Sequence, residues 1–185
     1  NAFFFVEGWQ TYFYVEEARF HVLTGVAKAV KETEKISGDN YALFETETGN
    51  LTAVLSDGMG SGDKACTDST MVVELMQKFL EAGFQMDIAI QMINSALLAG
   101  GDTSNMSTLD LCSMDLYSGE CRFVKVGSAA SYIKREHLVE RISSGNLPLG
   151  IFQKTEIEAV GRTLMDGDYI VMVSDGILDA LSQGI

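Results

Sequence analysis

Ser56-Asp57-Gly58-Met59-Gly60-Ser61-Gly62-Asp63 follows the apolar run Leu51-Thr52-Ala53-Val54-Leu55. Its first three residues return as Ser174-Asp175-Gly176, after Tyr169-Ile170-Val171-Met172-Val173. Two strand-like runs therefore end on the same Ser-Asp-Gly. An aspartate at the end of an apolar strand is costly unless a helix N-terminus, a hydrogen-bond network or a cation compensates it. Asp-Gly is also a common turn dipeptide, so either copy alone reads equally well as a turn cap. Two copies invite a different reading. Two strands ending at one sheet edge can aim both carboxylates at one point, where one must take a proton or a metal must sit between them. With oxygen ligands only, the fitting ions are Mg²⁺ or Mn²⁺. Gly58 leaves its carbonyl open to a ligand, and Gly60 and Gly62 allow close backbone approach to a bound group. Asp39, in Lys35-Ile36-Ser37-Gly38-Asp39-Asn40, is a third candidate carboxylate, again preceded by glycine.

Other chemistries fit poorly. The second glycine of a P-loop, counted from Gly58, would fall on Asp63, and Lys64 is followed by Ala65. Gly58-Met59-Gly60-Ser61-Gly62-Asp63 also breaks the dinucleotide pattern GxGxxG. His21 and His137 have no partner at metal-ligand spacing, which argues against zinc. Cys66, Cys112 and Cys121 show no CxxC spacing; Cys112 and Cys121 read as buried small hydrophobes in a reducing compartment. The net charge of −13 disfavours nucleic acid and suits a cation site or a basic partner. No apolar run approaches the length of a membrane span.

Outward from the first Ser-Asp-Gly the organisation reads as one α+β domain over 1–185, with no linker. Phe20–Lys28, Tyr41–Thr46 and Leu51–Ser56 have strand composition, and Glu47-Thr48-Gly49-Asn50 reads as a hairpin turn. Val72, Leu75, Met76, Phe79 and Leu80 recur at helical spacing, with Asp63 or Ser61 as cap and Gly83 as stop. A second helix is predicted over Asp87–Ala99, with Ala89, Met92, Ile93, Ala96 and Leu97 on its inner face. A short link makes the two an antiparallel pair. Their methionines read as core rather than as a binding groove. Strands follow at Thr108–Leu116, Cys121–Val126, Ala130–Lys134, His137–Ile142, Glu156–Leu164 and Asp168–Ser174, and then the start of a helix at Ile177. Strands, a helix pair and a strand meander point to antiparallel sheets covered by helices.

"KISGDNY", "LSDGMGSGDKA", "STLDL", "SGNLPLGI" and "MVSDGILDAL", in that order, resemble the PPM (PP2C-like) metal-dependent serine/threonine phosphatases. The resemblance runs from about Phe20 to Leu181 and is strongest to the stage II sporulation protein E-like branch. It implies an αββα sandwich of two antiparallel sheets flanked by helix pairs. It implies a site for two Mn²⁺ or Mg²⁺ ions, with Asp57 bridging them, the Gly58 carbonyl and Asp39 serving one and Asp175 the other. The attacking group would be a metal-activated water, so no protein nucleophile is required. The substrate implied is a phosphorylated STAS-type anti-anti-sigma protein in a bacterial sigma-factor switch. Regulation would pass through the helix pair Asp63–Ala99, and a dimer is left open. The chain would be cytoplasmic, as the cytosolic domain of a membrane-anchored protein. The family also implies a later metal-binding aspartate and a closing strand, which the chain ending at Ile185 is expected to lack. Lys35 is a candidate for the substrate phosphate, weighed against an ordinary surface lysine. The alternative is a non-catalytic PP2C-like regulatory binding module with an incomplete metal site. A weaker third reading is a structural cation site.

Overall fold

A computed structural model describes residues 2–6, 11–30, 36–60, 62–100, 105–155 and 157–183. A two-stranded ribbon of β1 (Ala2–Val6) and β2 (Thr11–Val15) opens the chain. The main sheet has five antiparallel strands in the order β3-β4-β5-β6-β9: β3 (Asp39–Glu45), β4 (Asn50–Asp57), β5 (Leu109–Asp115), β6 (Glu120–Val126) and β9 (Ala159–Thr163). A smaller antiparallel sheet has the order β10-β7-β8, from β7 (Ser131–Arg135), β8 (Leu138–Ile142) and β10 (Tyr169–Val171). The helices are α1 (Gly62–Glu81), α2 (Met86–Ala99) and α3 (Asp175–Gln183).

Three layers follow from the two-residue period of the strands. One face of the main sheet gives Phe44, Val54, Leu109, Leu111, Val124 and Val126 to a core closed by the helix pair, through Val72, Val73, Met76, Ile90, Ile93 and Leu97. The opposite face gives Cys112, Met114, Leu116, Cys121 and Phe123 to a second core, shared with Ile133 and Ile142 of the smaller sheet. β5 and β6 contribute to both cores, so the middle of the main sheet is buried on both sides. This is the expected sandwich of two antiparallel sheets, with one helix pair outside. A second helix pair is not found among the described residues.

The β3–β4 hairpin turns where predicted. Gly49 sits at φ +76°, and a Cβ there would lie 2.4 Å from the Tyr117 ring, so both conformation and space require glycine. The Tyr117–Glu120 turn is held by Asp115, whose Oδ1 accepts the Tyr117 and Ser118 N–H groups at 2.8 and 2.9 Å.

The structure corrects several expectations. Residues 16–30, including the predicted strand Phe20–Lys28, take no regular structure, and Leu23 is 99% exposed. Composition supplies strand propensity but not a ladder partner, and here the segment touches the main sheet through the Phe20 N–H, bonded to the Leu116 carbonyl at 2.9 Å. The run predicted as Asp168–Ser174 is a strand only over Tyr169–Val171; Asp175 then begins α3. Ser61, one of the predicted caps, lies outside the described residues.

On α2 the buried face is rotated from the predicted one. Met92 (42% exposed) and Ala96 face outward, while Ile90 and Asn94 are buried. The cause is polar. Asn94 Nδ2 donates to the Phe152 carbonyl and its Oδ1 accepts the Gly150 N–H, both at 2.8 Å. Gln91 Nε2 donates to the Thr155 carbonyl at 2.7 Å, so α2 clasps the loop that passes beside the end of β4. Asn94→Ala leaves those loop groups without partners and is expected to cost about 1–3 kcal/mol. Urea unfolding checks this, and a loss below about 0.5 kcal/mol, the range of ordinary surface changes, would contradict it.

Candidate active site

Strand register builds the site. β3 and β4 pair so that Asp39 lies directly opposite Asp57, which places both residues on one face at the end of the main sheet. The end of β4 is then wired to β5. The Asp57 N–H donates to Thr108 Oγ1 at 2.9 Å, while its carbonyl accepts the Thr108 N–H at 2.8 Å and Ser107 Oγ at 2.9 Å. Ser56 is fully buried, donates to the Thr108 carbonyl at 2.6 Å and lies 2.8 Å from Ser107 Oγ. The first serine of the repeat thus fixes the strand that carries Asp57.

Gly58 and Gly38 shape the space next to these groups. The Gly58 N–H donates to the Gly38 carbonyl at 3.2 Å. A Cβ on Gly58 would stand 1.9 Å from the Ala65 carbonyl oxygen, so only glycine lets the first turn of α1 close on the strand end. A Cβ on Gly38 would meet both Asp57 Oδ1 and the Gly58 carbonyl oxygen at 3.3 Å, so those two oxygens converge beside Gly38. Gly60 and Gly62 border open space, and their positive φ values of +101° and +76° independently require glycine.

The second Ser-Asp-Gly arrives from the smaller sheet. Ser174 Oγ donates to Asp39 Oδ2 at 2.9 Å, which ties the segment after β10 to β3. Asp175 opens α3, close enough for its charge to act on the Asp57 carboxyl. Asp57 therefore has both Asp39 and Asp175 as charged neighbours. Burial, then the charges of Asp39 and Asp175, push its carboxyl up from 3.8 to about 7. Asp57, Thr108, Ser174 and Asp175 also line one small cavity between the sheets.

All four predicted site positions, Asp39, Asp57, Gly58 and Asp175, meet at this edge, joined by strand register, hydrogen bonds and the shared charge on Asp57. Among the described residues, no three acidic, histidine or cysteine side chains already close around a point as a finished metal cage. His21 and His137 are exposed, and Lys35 lies outside the described residues. Sequence reasoning missed the roles of Ser56 and Ser174, although their repetition was the available signal. It also missed Lys28, whose Nζ donates to the Asp39 carbonyl at 2.5 Å.

Comparison with known proteins agrees with this geometry. A family model described as Stage II sporulation protein E (SpoIIE) matches residues 47–185. Stage II sporulation protein E of Bacillus subtilis (strain 168) is 41% identical over 160 residues, covering 86% of this chain and 19% of that protein. Phosphoserine phosphatase RsbU of the same organism is 21% identical over 152 residues, covering 81% of this chain and 45% of that protein. A solved structure of the PP2C phosphatase domain with a fragment of the regulatory domain of the cell fate determinant SpoIIE from Bacillus subtilis matches with a TM-score of 0.80. Its identity is 40%, over 88% of this chain and 48% of that one. The fold is that of a PP2C phosphatase domain, and the chain spans less than a fifth of the Bacillus relative.

The raised Asp57 carboxyl has a stability signature. A folded-state value above the unfolded one stabilises fully below the unfolded value, and that contribution is lost as pH rises through the folded value. The metal-free chain should therefore lose stability from this group as pH rises from about 4 to about 7, most steeply midway between the two values, and the loss should level off above 7. Asp57→Asn should flatten that decline. Thermal unfolding of both chains in chelator, across this range, checks it; parallel curves would contradict it.

Proposed function

The chain belongs to the stage II sporulation protein E family, and we propose that it is the catalytic domain of a metal-dependent serine/threonine phosphoprotein phosphatase. The observation that carries this reading is the convergence of Asp39 and Asp57 from the main sheet with Asp175 from the start of α3. Adjacent carboxylates without a cation repel, and that repulsion adds to burial, the larger cause, in raising the Asp57 carboxyl. An oxygen-only donor set with unrelieved negative charge fits Mg²⁺ or Mn²⁺, the ions used by PP2C-like phosphatases.

Asp57 would be shared between two ions, with the Gly58 carbonyl and Asp39 serving one and Asp175 the other. Such ions activate water at neutral pH and offset charge on a phosphoryl group. The protein's own part is positional. Ser56, Ser107 and Thr108 hold the backbone of Asp57, and Ser174 orients the Asp39 carboxylate through Oδ2. Lys28, at the Asp39 carbonyl, adds positive charge where an anionic substrate would approach. No protein nucleophile is assigned, because water is the attacking group in this reading. A further aspartate beyond Ile185 would complete the second ion's ligands.

The substrate we propose is a phosphoserine or phosphothreonine on a STAS-type anti-anti-sigma protein. The naming of the relative RsbU as a phosphoserine phosphatase supports the phosphoserine part. The chain would act as the cytosolic domain of a longer membrane-anchored protein, and no helix among the described residues is long and apolar enough to cross a membrane. The α1–α2 pair joins the site through Gly58 and Ala65, which supports regulation by movement of these helices.

Phosphate release from a phosphorylated STAS protein, with and without Mn²⁺, tests the proposal on 1–185 and on a version extended past Ile185. Asp57→Asn and Asp175→Asn are each expected to lower the Mn²⁺-dependent rate on the order of 100-fold or more, beyond the effect of removing a ligand's supporting group. Absence of activity in both versions, with partner binding intact, would replace the enzyme by a regulatory binding module.

A further inference from the structure

A second polar assembly lies behind the carboxylates, and the proposed function makes no use of it. Asp110 on β5 and Lys125 on β6 face each other in register, and their side chains are 1% and 2% exposed. Lys125 Nζ lies 2.6 Å from Asp110 Oδ2 and donates to Ser131 Oγ at 2.9 Å; Ser131 Oγ in turn donates to Asp110 Oδ2 at 2.6 Å. Ser131 opens β7, so this ion pair pins the smaller sheet to the main one. All three contacts leave Asp110 Oδ1 aside. It is buried and has no hydrogen-bond partner among the described residues, and the same holds for Ser128 Oγ. Both residues line the same cavity as Asp57 and Asp175, a space of about 30 Å³.

Two orphaned polar atoms beside one small polar cavity point to a missing partner. A carboxylate oxygen can only accept, so the partner must donate to Asp110 Oδ1. A buried water needs roughly 10–15 Å³ of such space and two to four polar neighbours, and the cavity offers both. A metal ion is the poorer occupant, because Lys125 already neutralises Asp110. We propose that Asp110 Oδ1 and Ser128 Oγ hold a buried water, through which the Asp110–Lys125 pair positions the carboxylates of Asp57 and Asp175. Ser128 donates to the water oxygen, one water hydrogen goes to Asp110 Oδ1, and the other is directed to the carboxylates at the opposite wall. Asp110 is then a positioning residue, and its influence on metal affinity rests on the metal-site reading above.

A high-resolution crystal structure of the chain, with Mn²⁺ titrations followed by electron paramagnetic resonance, tests both parts. Density within hydrogen-bond distance of both Asp110 Oδ1 and Ser128 Oγ, absent in Ser128→Ala, is expected. An empty or collapsed cavity, or a peak at metal-ligand distance, would overturn the water. Asp110→Leu alone strands Lys125 and is expected to unfold readily; Asp110→Leu with Lys125→Met removes both charges and should keep the melting temperature within a few degrees of the parent. That double variant is expected to bind Mn²⁺ about 10-fold more weakly. Parental affinity in a folded double variant would overturn the positioning role. If the parent chain itself binds no Mn²⁺, the metal reading fails and the water density alone decides.

Discussion

The pairing of Asp39 with Asp57 across β3 and β4 is the constraint on which the rest of the site depends. A slip of one residue would send one carboxylate to the opposite face of the sheet and dissolve the cluster. The register is held from both ends: by the Gly49 turn at one, and by the Gly58 N–H donating to the Gly38 carbonyl at the other, while Ser56, Ser107 and Thr108 fix β4 to the segment before β5. Apolar alternation gives the same answer, because Val54 must face the helix pair for Asp57 to stand at the site edge. Folding energy is thus what keeps like charges together, and Asp57 carries the consequence in its raised carboxyl value.

Polar contacts tie the two sheets together at this edge. Ser174 reaches from the smaller sheet's side to Asp39, and Ser131 reaches to Asp110. Burial pushes the Asp110 carboxyl up and the Lys125 amine down, the expected cost of an ion pair removed from water. A pair of this kind adds little net stability over an apolar substitute, but it does fix geometry, which a site built from two sheets needs. The apolar inter-sheet core of Phe123, Ile133 and Ile142 lies beyond it and supplies the cohesion.

Much of this was legible in the sequence, for local reasons. The helix pair follows from the spacing of Val72, Met76, Ile93 and Leu97, and the β3–β4 and β5–β6 hairpins follow from Gly49 and Gly119. The repeated Ser-Asp-Gly marked the two chain segments that meet. Legibility failed where a residue's role depends on a distant partner. Phe20–Lys28 has strand composition without a ladder, and Asn94 turns α2 by binding a loop more than fifty residues away. Asp110 and Lys125 sit in strands that read as ordinary apolar runs. Only the β5–β6 register brings them face to face, and only the smaller sheet supplies Ser131. The serines of the repeat were visible as letters, but their bonds to Thr108 and Asp39 belong to tertiary structure.

The most direct test of the central claim is a ¹³C NMR titration of the Asp57 carboxyl in the metal-free chain, repeated with Asp39→Asn and with Asp175→Asn. A midpoint near 7 is expected in the parent chain, lowered in each variant as one neighbouring charge is removed. A midpoint near the ordinary 3.8, unmoved by either substitution, would mean that the two Ser-Asp-Gly segments do not form one site.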